Sequence, residues 1–191
     1  MVILPNSCFL HVPKTGGSWV KAALKASGMM VEEFEVNGDP HAGLKYCPCP
    51  EKFKFAFVRH PVDHYRSYWQ YKMGKGWDFK NPIDRNCCAA DFSEFINNIL
   101  TKFPGVYSNA IEEYVGPPEA EIEFIGKYEN LVENLIVALK QAGEHFDERV
   151  IRNFPPVNVS DRLRFPAEYS PMLEKAVRES ENIFIRRFGY K

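Results

Sequence analysis

Lysine, threonine, two glycines and a serine stand in one run, Lys14, Thr15, Gly16, Gly17 and Ser18, directly behind His11, Val12 and Pro13. Such a run suits the holding of a phosphate- or sulfate-like anion. Glycine lets backbone N–H groups turn toward an anion with no Cβ in the way, and a helix start behind them adds partial positive charge. Lys14 adds a point charge, and Thr15 and Ser18 add hydroxyl donors. The plain alternative is a glycine turn closed by a capping serine, and Gly-Gly-Ser alone does not rise above it. The full set at one strand-to-helix junction does. The order is not that of a Walker loop, where the lysine follows the glycines. Here Lys14 precedes them and no acidic strand end for Mg²⁺ is apparent, which counts against a kinase or NTPase.

A second set follows in the run 57–69. Arg59 stands at the carboxyl end of an apolar run, where ligands of open α/β sheets gather, and Ser67 comes eight residues later in the next helix. A guanidinium fork and a hydroxyl can hold a second phosphate. A strand-end arginine paired with a carboxylate, and a serine on a helix face, explain this segment equally well.

A transfer reaction also needs a proton acceptor, and His41 is the choice, since histidine ordinarily titrates near neutrality. It follows the turn cluster Asn37, Gly38, Asp39 and Pro40, and Glu35 is the reserve. A turn histidine without a duty is the competing reading. His11 reads as packed at a strand end, His60 and His64 border the Arg59 segment, and His145 reads as surface. Tyr65, Tyr68, Trp69 and Tyr71 can stack on a base or sugar, but aromatics on one helix read more simply as core. Arg162 and Arg164 either close over a nucleotide or belong to a solvated basic loop.

These residues need elements to position them. Residues 7–12 form a short apolar run read as a buried strand, and a helix is expected from Ser18 to about Ser27, with Gly28 at its C-terminal end. A brief strand is expected at 34–36 and the clearest one at 53–58. Pro61 opens a helix to Met73. Residues 74–90 read as a loop, followed by helices near 91–102 and 109–115, a strand at 122–128 and a helix at 130–142. Residues 153–170 read as a connection, and one last helix begins at Ser170 and Pro171 with Phe184 on its apolar face. Alternating strands and helices predict one three-layer α/β domain over residues 1–191. Its expected parallel sheet has about four or five strands flanked by helices.

The two motifs, in this order and some forty residues apart, resemble the PAPS-dependent sulfotransferases (PAPS is 3′-phosphoadenosine-5′-phosphosulfate). The likeness is to the carbohydrate O-sulfotransferase branch and its short bacterial relatives. It implies a P-loop-like fold and places the 5′-phosphosulfate on Lys14, Thr15, Gly16, Gly17 and Ser18, with Trp19 behind them at the head of the helix. The 3′-phosphate falls to Arg59 and Ser67. Lys14 then steadies the leaving oxygen, and His41 lies where related enzymes carry a catalytic histidine or glutamate. Residues 125–131, Asn158 to Ser160 and Phe188 to Tyr190 are also similar to the branch. The loop 74–90 is not, so the acceptor, a carbohydrate or another hydroxyl or amine, stays open. No metal is required by this scheme.

Composition is compatible. With 191 residues, 45% hydrophobic and 26% charged, and a formal net charge of −1, the chain is of ordinary globular type. There is no global basic field to suggest nucleic acid. No apolar run reaches the roughly 18 residues of a membrane span, and no signal-peptide pattern opens the chain, so it reads as soluble and cytoplasmic. Five cysteines, an odd number, fit a reducing compartment. The pairs Cys47/Cys49 and Cys87/Cys88 lack the usual zinc spacing and read as loop thiols, with a disulfide left open.

Overall fold

In the computed structural model, which describes residues 1–157 and 163–191, the elements follow in chain order. They are β1 (Val2–Ile3), β2 (Ser7–Leu10), α1 (Gly17–Ala26), β3 (Glu32–Glu33), β4 (Phe53–Val58), α2 (Pro61–Lys75), α3 (Pro82–Cys87) and α4 (Phe92–Lys102). Then come α5 (Val106–Val115), β5 (Phe124–Lys127), α6 (Leu131–Gln141), α7 (Glu148–Asn153), α8 (Pro171–Ser180) and α9 (Asn182–Arg187). The chain is thus α/β. It divides into two compact units, Met1–Arg59 with Ile111–Asn158, and His60–Ala110 with Val159–Lys191, one boundary falling within α5. No helix among the described residues is long and apolar enough to cross a membrane.

The first unit holds a five-stranded sheet in the order β3-β1-β2-β4-β5. β2 pairs with β4, and β4 with β5, in parallel, Phe9 standing opposite Phe55 and Phe57 opposite Gly126. The expected parallel sheet is therefore found only at the centre, because β1 runs antiparallel to both β2 and β3. The cause is local. Pro5 and Asn6 turn the chain, Leu4 N–H donates to Ser7 C=O at 2.8 Å, and a connection this short can join only antiparallel strands.

Residues Ser7–Leu10 of β2 and 55–58 of β4 are buried throughout, the pattern of strands covered on both faces. Phe9 and Phe55 stack with centroids 5.3 Å apart, and Val20, Leu24, Leu135, Leu139 and Ile151 complete the core around them. Burying each such side chain is worth about 1.5–3 kcal/mol. α1 buries Trp19, Val20, Ala23 and Leu24 at helical spacing, which holds its N-terminus at the end of β2.

The second unit is helical. α2 buries Tyr65 and Trp69, α4 buries Phe92, Phe95, Ile96 and Ile99, and α8 buries Leu173 and Val177. Asp91, Asn81 and Ser170 cap α4, α3 and α8 by accepting from first-turn N–H groups. Two buried carboxylates tie this unit together. Asp84 accepts from Tyr68 Oη at 2.5 Å and from Asp78 N–H at 2.7 Å, and it pairs with Lys72 Nζ. Glu181 accepts from Tyr65 Oη, from Ser108 N–H at 2.8 Å and Ser108 Oγ at 2.5 Å, and from Tyr107 N–H at 3.2 Å.

The segment expected as a loop at 74–90 contains α3, started by the Asn81–Pro82 cap. The single last helix expected from 171 is two, α8 and α9, parted at Glu181. The strand expected at 34–36 lies earlier, at Glu32–Glu33, and Val36 instead bridges Asp39 across the Asn37–Gly38 turn.

Candidate functional site

Between β2 and α1 the backbone coils around its own N–H groups. Lys14 has φ 64° and Gly16 has φ 85°, with Thr15 on the negative side between them. Alternation of hand in successive residues points consecutive N–H groups into one concavity, an anion nest. Directly behind it α1 begins with Gly16 as N-cap, a residue with no side chain to satisfy the first-turn N–H groups. Nest and helix start thus stand together at one end of α1.

Both glycines have steric reasons. A Cβ on Gly16 would lie 2.6 Å from the Leu131 side chain in a backbone region that L residues rarely enter. A Cβ on Gly17 would lie 1.9 Å from the His11 ring. Ser18 is exposed in the first turn. Thr15 is fully buried and its hydroxyl donates to Val12 C=O at 2.8 Å, so in this structure that hydroxyl braces the loop. Trp19 is core, edge-on to Phe154, which leaves only its backbone N–H at the helix start.

Arg59 follows directly on β4. Its Nη1 donates to Lys14 C=O at 3.2 Å and its guanidinium lies 4.2 Å from the centroid of the Tyr128 ring, at the end of β5. The carboxyl ends of the three parallel strands β2, β4 and β5 thus meet at one place, the location where open α/β sheets bind ligands. Ser67, which the sequence pairs with Arg59, is buried on α2 in the second unit.

His41 is brought to the loop by its own segment. Its backbone N–H donates to Asp39 Oδ1 at 2.8 Å. Two residues on, Gly43 packs so closely on α5 that a Cβ there would lie 1.9 Å from Glu113 C=O. The half-buried imidazole sits 4.3 Å from the His11 ring, and its Nδ1 is 2.9 Å from His11 C=O. A carbonyl only accepts, so Nδ1 carries the hydrogen and Nε2 of the neutral ring keeps its lone pair. His11 is held neutral, its pKa pushed down to about 3, first by burial and then by the His41 imidazole beside it.

Glu35 is exposed. His60 caps α2, accepting from Val62 N–H, His64 stacks on Tyr107 at 3.8 Å, and His145 is exposed. Tyr65, Tyr68 and Trp69 belong to the second unit's interior, while Tyr71 is exposed. Arg164 lies over Phe165, and Asn158, Val159, Ser160 and Arg162 lie outside the described residues. All five thiols are free. Cys8 is buried in β2, and burial together with the Cys47 thiol beside it pushes its pKa up. The described residues contain no group of three or more His, Cys, Asp or Glu able to hold a metal ion.

Two contributors are not apparent from residue type alone: Tyr128, the platform under Arg59, and Gly43, the close-packing point behind His41. Tyr128 had one signal, its position at the carboxyl end of a predicted strand. Comparison with protein-family models, curated proteins and solved structures found no match to this chain.

Proposed function

We propose that this chain is a sulfotransferase that moves a sulfuryl group from PAPS to an acceptor hydroxyl or amine, a carbohydrate among the acceptors considered, and that its topology is P-loop-like. The observation that carries the reading is the nest at Lys14 and Gly16, set on an uncapped helix start and tied by its Lys14 carbonyl to the Arg59 guanidinium. Oriented N–H groups, a lysine and an arginine are what a phosphosulfate and its neighbouring phosphate require. The parallel centre of the sheet, with ligand-facing ends at β2, β4 and β5, supports the topology.

In this scheme the acceptor oxygen attacks sulfur in line, the bond from sulfur to the bridging 5′-phosphate oxygen breaks, and adenosine 3′,5′-bisphosphate leaves. Lys14 steadies negative charge on that oxygen. His41 Nε2 takes the acceptor proton, its orientation fixed by the Nδ1–H bond to His11 C=O.

The test is calorimetric binding of adenosine 3′,5′-bisphosphate against ATP with Mg²⁺, followed by turnover with PAPS and an acceptor panel. Metal-independent binding of the bisphosphate, weakened roughly tenfold or more by Lys14→Ala and Arg59→Ala, is the expected result. His41→Ala is expected to lower kcat by about 10²–10⁴ while nucleotide affinity is kept. Preference for ATP with Mg²⁺ would replace this reading with a kinase or NTPase. Tight bisphosphate binding without turnover on any acceptor would point to a nucleotide-holding module.

A further inference from the structure

His11 does more than fill the end of β2. Its side chain is nine-tenths buried, yet Nδ1 has no hydrogen-bond partner among the described residues. The opposite edge of the ring is placed unusually. Cδ2 and Nε2 each lie 1.9 Å from where a Cβ of Gly17 would stand. In a helix the Cα–Cβ bond tilts toward the N-terminus, so the His11 Nε2 edge occupies the space at the mouth of α1's first turn. The nest and the uncapped N–H groups belong to this same end of α1.

The tautomer follows from what is buried. A buried N–H without an acceptor is rarer and more costly than a buried lone pair without a donor. Nδ1 therefore carries the lone pair and Nε2 the hydrogen. Burial and the adjacent His41 keep the ring neutral, with its pKa near 3, so the Nε2–H is retained as a fixed, uncharged donor.

We propose that His11 Nε2–H is a donor of the anion cradle and hydrogen-bonds an oxygen of the phosphate- or sulfate-type group held at the start of α1. Gly17 is then glycine for two reasons, backbone approach and room for this imidazole. His11 contributes to both halves of the site: its carbonyl orients His41 and its ring edge meets the anion. The inference rests on the anion-binding part of the proposed function, not on the identity of the nucleotide.

The experiment titrates the full chain with inorganic pyrophosphate and, separately, with adenosine 3′,5′-bisphosphate. Wild type is compared with His11→Phe, which keeps a flat ring and removes the donor. In parallel, long-range ¹H–¹⁵N NMR of the histidine side chains follows the wild-type His11 ring. The expected result is a pyrophosphate Kd about tenfold or more weaker in His11→Phe. In the wild type, an Nε2-protonated neutral His11 whose Nε2 signal moves on addition of the anion is expected. The NMR arm stands even where the variant does not fold. Equal affinities, or an Nδ1-protonated ring with an Nε2 signal that ignores the anion, overturn the His11 proposal and leave the sulfotransferase reading intact. Pyrophosphate binding without bisphosphate binding does the reverse. Binding of neither overturns both.

Discussion

Replacing Gly17 by alanine sets two effects of opposite sign against each other. Alanine in place of glycine in a helix stabilises by about 0.5–1 kcal/mol through propensity. At this position the new methyl would stand 1.9 Å from His11 Cδ2 and Nε2. Carbon contacts sit at about 3.5 Å, so ring and methyl must separate by about 1.6 Å. The ring has little room to retreat, with Phe9 stacked on it at 5.9 Å and His41 at 4.3 Å. Overpacking of this kind costs about 1–3 kcal/mol. The net expectation is a loss of about 1–2 kcal/mol, with the sign reversed from the propensity rule.

A double-mutant cycle isolates the contact. In a His11→Ala background the obstacle is gone, and Gly17→Ala becomes neutral or stabilising by up to about 1 kcal/mol. The coupling energy is then about 2 kcal/mol, within the range for residues in contact. Urea unfolding followed by circular dichroism reads it. With m near 2 kcal/mol/M, Gly17→Ala lowers Cm by about 0.5–1 M in the wild-type background only. A Gly17→Ala protein as stable as wild type, or more stable, refutes the placement of His11 on the first turn. The donor role proposed for that ring falls with it.

Two further outcomes follow from buried groups. Glu181→Ala takes the acceptor from two backbone N–H groups, Tyr107 and Ser108, and is expected to cost about 3–4 kcal/mol. Glu181→Gln, which keeps the side-chain volume and one acceptor oxygen, should cost about half of that in the same unfolding assay; equal losses would mean that the charge and the second carboxylate oxygen carry the whole effect. The pH dependence comes from His11. Its folded pKa, about 3, lies below the ordinary 6.5, so between these values the unfolded chain binds the extra proton. Stability is therefore full above pH 6.5 and falls by up to about 1.4 kcal/mol per unit as pH drops toward 3. Stability curves at pH 7, 6, 5 and 4 should flatten by about this slope in His11→Phe, and an unchanged slope would reject a neutral buried His11.

What the sequence made legible follows from how local each cause is. β4 was readable because 53–58 is apolar at every position but Lys54 and lies between turn residues, and α1 because its apolar residues recur at helical spacing. β1 was not, since two residues carry no period and its pairing depends on a turn at Pro5 and Asn6. α3 escaped inside a polar stretch although Asn81 and Pro82 spell a helix start, because six residues rich in polar side chains show no face. The site divides in the same way. Lys14, Gly16, Gly17 and Arg59 could be named from type and position, because a nest and a strand end are properties of a short piece of chain. Their partners could not. Tyr128 lies under Arg59 only because β5 runs parallel to β4, and His41 reaches His11 only because Gly43 lets its segment close on Glu113. Gly17 shows the limit most directly. Its sequence context says that an anion can approach, while the neighbour that forbids a Cβ is a side chain six residues back, turned toward the helix by the fold. Reading this glycine as permissive says nothing of the ring that fills its missing side chain.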